Sequence, residues 1–530
     1  GSPVYLDGKL VGAVASGWGF SRRAIAGVTP IEAMASIVPP GLPSPPARPA
    51  SGASLADRAA FLARLATLPE ESRHEELRRS LLDSLPGAAP SAPGGATLLS
   101  FHSTGLPAGT VERFREAFGR FGVSESNLAL LGSSPASTAE PAPSTAPAAL
   151  LPGASVTAYL VRGDLQLGAT GTVTEVYPDG RFVAFGHPFL GAGELELPVA
   201  PAEVVMVVPS LFQSFKVANG GEPRYRLTND RDTGVGGRTD RTAPTTPVTV
   251  LVEGDGRPPR EFRFEVASHP KLLPVLAGLA ADASLTAADP TPRERLLSFR
   301  ITLDTDAGEV SYEDVATGNR AKEAAVLSTV ALAAAVVDND LGDPGLRAVR
   351  LKFGSSPEEK RLRLLDAAPA TRKVAPGETL AVALRVEDRR GEEKVRVVHL
   401  RVPSGTPEGR AVLVVADGSS ATALRQQIDP SEPRTLRDFA TFLSRIVPGN
   451  RLLAGILVAT RGAATRSATL EELPPTALAL LAGAREPGET GIGDVESRLV
   501  AEEIVSFDRP VPGTVRIDVE VERLRPRGTR

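Results

Sequence analysis

GTVTEVYPDGRFVAFGHPF, Gly171 to Phe189, is the stretch whose reading decides the fold. A β-branched run, Thr172-Val173-Thr174-Glu175-Val176, breaks at Tyr177-Pro178-Asp179-Gly180 and resumes as Arg181-Phe182-Val183-Ala184-Phe185. Two short strand-forming runs around Pro-Asp-Gly predict a β-hairpin, since Pro presets φ and Gly supplies φ > 0 at the turn. The second run stops at Gly186-His187-Pro188, one of only five histidines in 530 residues. A histidine there has two readings: a ring satisfied by a nearby carbonyl, or a base displayed at a rigid corner.

Outward from the hairpin the strand signals continue. Ser155 to Ala169 supplies two strand candidates before it. After it, Glu203 to Val208 is an apolar run consistent with a buried strand, and Asn219-Gly220-Gly221-Glu222 turns the chain. Arg224 to Arg238 is polar and glycine-containing and is expected to be a surface loop. Arg226, Arg231, Arg238 and Arg241 suggest an anion patch, but Asp230, Asp232 and Asp240 between them favour a self-compensated surface. Strands at Pro247–Val252, Glu261–Val266, Leu297–Leu303 and Val310–Val315 alternate with apolar helices at Leu272–Leu285 and Ala321–Val337. In the last third, short runs at Leu346–Phe353, Arg361–Asp366, Thr379–Glu387, Lys394–Val402 and Gly409–Val415 have the spacing of a sandwich. His399 lies on one of them as an ordinary strand histidine. Near the end, Val515, Ile517, Val519 and Val521 alternate with Arg516, Asp518, Glu520 and Glu522, one face buried and one wet.

Upstream, Ser54 to Leu85 reads as helical with Ser54 as N-cap and Pro69 dividing it. Thr110 to Phe121 carries Val111, Phe114, Ala117, Phe118 and Phe121 on one helical face, a core stripe. Pro-rich residues 38–53 form an extended linker, and Ser133 to Pro147 is too poor in apolar residues to fold.

Composition narrows the function. The length predicts roughly three or four domains. Hydrophobic content of 42% supports packed cores, and a net charge of −4 points to neither nucleic acid nor an anionic membrane surface. The absence of cysteine excludes disulfides and thiolate metal sites. The longest apolar run, Ala324 to Val337, is too short to span a bilayer. No residues have a metal-ligand spacing, and Gly234-Val235-Gly236-Gly237 does not open a helix as a phosphate loop must, so no cofactor is expected.

The N-terminus carries a second signal. Gly1-Ser2-Pro3-Val4-Tyr5-Leu6-Asp7-Gly8-Lys9-Leu10-Val11-Gly12-Ala13-Val14-Ala15 is a strand, an Asp-Gly turn and a second strand, followed by Ser16 to Ser21 and Ile25 to Glu32. This resembles the nucleophile region of the SpoIVB-type serine peptidase family, in which Gly-Met-Ser-Gly-Ser-Pro precedes such a hairpin. Gly171 to Pro188, with Leu197-Pro198, Glu203-Val204-Val205, Pro209-Ser210 and Ser214 to Asn219, resembles the histidine block of the same family. The matching motifs cover mainly 1–34 and 150–240. The general layout to the C-terminus resembles the family's long extracytoplasmic members.

The resemblance implies a mainly β fold with helices (α+β): an incomplete chymotrypsin-like β-barrel region, an α+β segment and a C-terminal β-sandwich-like domain. The expected division is 1–37, end of the nucleophile region; 38–53, linker; 54–132, helical or α+β; 133–152, disordered linker; 153–242, histidine block; 243–342, α+β; 343–425, sandwich-like; and 426–530, α+β. It also implies an extracytoplasmic location (periplasm, envelope or secreted), with an export signal upstream of a truncated or processed chain. A Gly-Ser cloning scar is the rival explanation of residues 1 and 2.

Serine catalysis needs a base within reach of the hydroxyl, an acid behind that base and an oxyanion pocket. By the family motif the attacking serine sits immediately before Gly1, outside this chain. His187 is then the general base, and Ser2 is the neighbour of the missing nucleophile. In the family the histidine precedes the serine, whereas here the serine-like block comes first, which calls for a permuted barrel or two paired chains. The catalytic acid also falls upstream. Asp7 and Asp179 occupy Asp-Gly turns that explain them without catalysis. Two functions stay open: a fragment of a serine endopeptidase acting on a protein or peptide, inactive by itself, or a non-catalytic envelope or surface binding module on the same scaffold.

Overall fold

The decisive hairpin forms as its residues dictate. Strands Gln166–Val176 and Arg181–Ala184 pair antiparallel, Val173 opposite Ala184 and Val176 opposite Phe182. Gly180 takes φ +80° in the turn, where its N–H donates to Tyr177 O at 3.0 Å. The Arg181 guanidinium stacks 4.5 Å above the Tyr177 ring.

This computed structural model describes residues 1–17, 23, 25–39, 54–68, 70–84, 96–97, 101–120, 123, 128–131, 149–208, 215–254, 256–289, 295–356, 362–465, 469–483 and 492–522. Most of the linker expected at 38–53, the segment Ser133 to Pro147, and Trp18 to Ser21, Phe121, Pro209, Ser210 and Ser214 lie outside them.

The hairpin belongs to a closed, six-stranded antiparallel barrel. Its ring runs Ser155–Gly163, Gly193–Val208, Tyr225–Arg231, Gly234–Arg238, Arg181–Ala184 and Gln166–Val176, which returns to Ser155–Gly163. Closure leaves no edge along the ring, although the end of Gly193–Val208 runs on past its pairing with Ser155–Gly163. Residues 224–238 are therefore strands and not the expected surface loop. Their glycines answer a steric demand: a Cβ on Gly236 would lie 2.2 Å from Val38 Cγ2, and one on Gly237 2.3 Å from Arg226 O. The barrel can only pass so close beneath its cover where side chains are missing.

From Ser155–Gly163 the sheet continues through Arg257–Ala267, Thr245–Gly254, Ala348–Ser356, Arg295–Thr305 and Gly308–Gly318. Helices Leu273–Ala288 and Ala321–Val337 pack on it, apolar nearly all round and buried accordingly. Helix Leu55–Thr67 starts with a capping box of Ser54 and Asp57. The expected helix from Thr110 is two short ones, Ala108–Arg113 and Arg115–Arg120, broken at Phe114, yet Phe114 and Phe118 are core residues as their spacing requires.

Beyond residue 361 a three-stranded sheet (Leu362–Pro369, Thr379–Asp388, Glu393–Arg401) and a six-stranded one built on Gly409–Asp417, Arg451–Thr465, Ile492–Ser506 and Thr514–Val521 enclose a separate apolar core. The helix Leu436–Ser444 leaves this part, burying Leu436, Phe439 and Leu443 in the first core. The fold is β-rich α+β. Among the described residues no helix is long and apolar enough to cross a membrane.

Candidate site at the junction of the opening hairpin and His187

The backbone before His187 is strained. Phe185 has φ +72° and Gly186 φ +71°. Gly186 N–H donates back to Ala184 O at 2.9 Å, which makes Phe185 the centre of a γ-turn of the rare, positive-φ kind. Such a conformation in a bulky residue costs on the order of 1–3 kcal/mol and persists only where the surroundings impose it. Here the Phe185 ring is buried over Gly171, where a Cβ would come within 2.1 Å of it. Phe185 N–H donates to Thr172 O at 3.1 Å, and Thr29 Oγ1 donates to Gly186 O at 2.6 Å.

The ring of His187 packs 5.9 Å from that of Phe185 and is only 8% exposed. Burial lowers its pKa to about 4, against the raising effect of its bond to Pro188, so the imidazole is neutral at pH 7. Nδ1 lies 2.9 Å from Pro188 O. A carbonyl only accepts, so Nδ1 carries the proton and Nε2 keeps the lone pair. This is the tautomer a general base needs.

The loop after His187 is held by Asp230. Its carboxylate is 1% exposed and accepts from Phe189 N–H at 2.7 Å, Leu190 N–H at 2.6 Å and Ala192 N–H at 3.1 Å. Burial raises its pKa, and these backbone bonds pull it back. Asp230, expected on a charge-compensated surface, is a buried loop anchor instead. Its neighbours do compensate one another at the rim: Arg226 donates to Asp240 at 2.8 and 2.9 Å, and Arg241 to Glu196 at 3.1 Å.

The opening hairpin, Pro3–Leu6 with Lys9–Gly17, brings the first residue of the chain to the same place. Gly1 O accepts from Thr174 Oγ1 at 3.1 Å, and a Cβ on Gly1 would stand 2.9 Å from Phe185 Cα. The amino group of Gly1 is close enough to His187 to lower its pKa further. On the other side Lys216 Nζ donates to Thr172 Oγ1 at 2.8 Å, and burial lowers the pKa of that ammonium. Met34, Ile37 and Val38, from the segment after the hairpin, close over Val183 of the barrel. The two blocks, distant in sequence, thus meet within one chain.

Ser2 is exposed, and its carbonyl accepts from Val14 N–H at 3.0 Å within the hairpin. Asp7 sits exposed in its turn at φ +50°, and Asp179 pairs with Arg181 at 2.7 Å. Neither of these carboxylates approaches Nδ1 of His187, whose partner is the Pro188 carbonyl. Among the described residues no group of three or more His, Asp or Glu could hold a metal ion. Sequence reasoning gave no role to Lys216, a lone charge between Phe215 and Val217, or to Asp230, hidden among alternating Arg and Asp. Comparisons with family models, with curated proteins and with solved structures find no match to this chain.

Proposed function

We propose that the chain is a fragment of an extracytoplasmic, SpoIVB-like serine endopeptidase acting on proteins, with His187 as general base and the nucleophilic serine in the position before Gly1. One observation carries this reading: the first residue of the chain and a neutral, Nδ1-protonated imidazole share one strained corner of a closed barrel. In that arrangement Nε2 takes the hydroxyl proton as oxygen attacks the substrate carbonyl and returns it to the leaving amine. The Pro188 carbonyl does the orienting work of the usual carboxylate, while giving the imidazolium less charge stabilisation. A six-stranded antiparallel barrel fits a chymotrypsin-like label, and the two-sheet C-terminal part, sandwich-like, is proposed to position the protein substrate. Residues 1–530 alone are proposed to turn nothing over, because the attacking hydroxyl lies outside them.

The protein carrying a serine directly before Gly1 should cleave an unfolded protein such as reduced casein and label with a fluorophosphonate. His187→Ala should lower kcat by roughly 10²–10⁴-fold. Full activity in that variant would return His187 to a structural role. The alternative is a non-catalytic envelope or surface module on a peptidase-like scaffold. The carbonyl in the place of an acid, and the exposed Ser2, favour it. It predicts no labelling with or without the added serine.

A further inference from the structure

The run Glu203 to Val208, expected to be buried, is the most exposed apolar strand segment of the barrel. Val204, Val205, Met206 and Val207 are 37%, 59%, 53% and 55% exposed, so both faces of the strand meet solvent. Its main chain is half open as well. Ala202 pairs with Gly220 on one side and with Ser155 on the other, which places those two neighbours on opposite edges. On the Ser155 side pairing stops at Ala202. There the chain turns away at Pro152-Gly153, with Gly153 N–H donating to Val173 O at 2.8 Å. From Glu203 to Val208, among the described residues, only Phe215–Gly220 is paired, and no described strand lies on the opposite edge. Proteins ordinarily blunt such an edge with Lys, Pro or a covering loop. Val204-Val205-Met206-Val207-Val208 has neither Lys nor Pro, and its one irregularity is a bulge between Val204 and Met206.

We propose that this edge binds an extended polypeptide by strand addition. On either side of the bulge between Val204 and Met206, N–H and C=O groups face outward along the open edge, and another strand is what satisfies them. The exposed valines and methionine select apolar side chains on one face of the guest. Six residues span roughly 20 Å, enough for a guest segment of five or six residues. The ribbon also ends at the candidate site: Lys216, opposite Val207, reaches Thr172, whose carbonyl lies against Gly1. The inference rests on the endopeptidase reading only in taking the guest to be a substrate. Strand addition itself does not need that reading.

The probe is a fluorescein-labelled, acetylated and amidated octapeptide of alternating valine and serine, titrated with the full chain by fluorescence anisotropy. Saturable binding is expected, weakened at least tenfold in a Val205→Lys, Val207→Lys double variant. These side chains are exposed, so the fold should survive, and an unchanged circular dichroism spectrum and urea midpoint verify that it does. A fully N-methylated peptide should not bind, and hydrogen exchange at 203–208 should slow when the unmodified peptide is added. Absence of binding, equal affinity for the double variant or the N-methylated peptide, or a concentration-dependent dimer abolished by the double variant would each overturn the proposal. The last would give the edge to a second copy. His187→Ala should keep the peptide affinity, so its loss of turnover in the protein carrying the added serine bears on the endopeptidase reading alone.

Discussion

His187 links the candidate chemistry to stability. Its folded pKa, about 4, lies below the unfolded histidine value of about 6.5. Between those values the unfolded chain holds the extra proton, so stability rises with pH and is lost as pH falls from 6.5 towards 4. The effect is on the order of 3 kcal/mol at its acid limit. His187→Gln should therefore flatten part of the difference in urea midpoint between pH 7 and pH 4.5, while a variant as acid-sensitive as the parent would show that the ring is not the buried neutral group described. Asp230 is the second residue whose loss should be severe. Truncation to Ala leaves the buried N–H groups of Phe189 and Leu190, and the half-buried one of Ala192, without an acceptor, at about 1–3 kcal/mol for each buried group so orphaned. Asp230→Ala should destabilise by about 3 kcal/mol or more in urea titrations and free the His187 loop, visible as faster amide exchange at 189–192. Asn, which keeps one acceptor oxygen, should cost less.

Among the elements, strand Gly234–Arg238 shows how composition misleads. Gly-Val-Gly-Gly between charged residues has the look of a flexible loop. It is a barrel strand because Phe182 and the Arg226 backbone approach so closely that a side chain would collide: a Cβ on Gly237 would meet Phe182 Cζ at 2.4 Å. Gly237→Ala should cost about 1–3 kcal/mol through overpacking. Gly119, in helix Arg115–Arg120, supplies the control: an added methyl would meet nothing within 4 Å, and Ala there should stabilise by up to about 1 kcal/mol. Thermal unfolding of the two variants should shift in opposite directions. The run at 203–208 errs the other way: an apolar pattern predicts burial, but the strand outruns its neighbour at Ser155 and so loses the cover that burial requires.

Across the whole molecule, the two largest apolar cores among the described residues are separate, and a short helix ties the last part of the chain to the first of them. The core of the last part, around Leu413, Leu452 and Ile456, is separate from the barrel and helix core. Helix Leu436–Ser444 belongs by sequence to the last part but inserts Phe439, which is fully buried, into the first core. Nearby, Asp314 accepts from Gly449 N–H at 2.8 Å and Tyr312 donates to Asp314 at 3.0 Å. Phe439→Ala should cost about 3–5 kcal/mol as a cavity. It should also weaken the coupling between the two parts, which helix Leu55–Thr67 against Gly418–Ile428 carries as well, and so separate their denaturation transitions. One unchanged transition in calorimetry would show that the remaining contacts suffice.

The sequence by itself determined whatever depends on neighbours along the chain. The Pro-Asp-Gly hairpin, the capping box at Ser54, the apolar helices at 273–288 and 321–337 and the alternating strand at 514–521 follow from local dihedral preference and periodicity. It also singled out His187 by the oddity of its flanks. Only the tertiary structure decided which groups stand beside that ring. Barrel closure brings Gly1, Lys216 and Asp230 to one corner from 186 residues upstream, 29 downstream and 43 downstream, and turns Phe185 into a strained γ-turn. Burial and proximity are properties of packing between distant segments, and no local pattern encodes them.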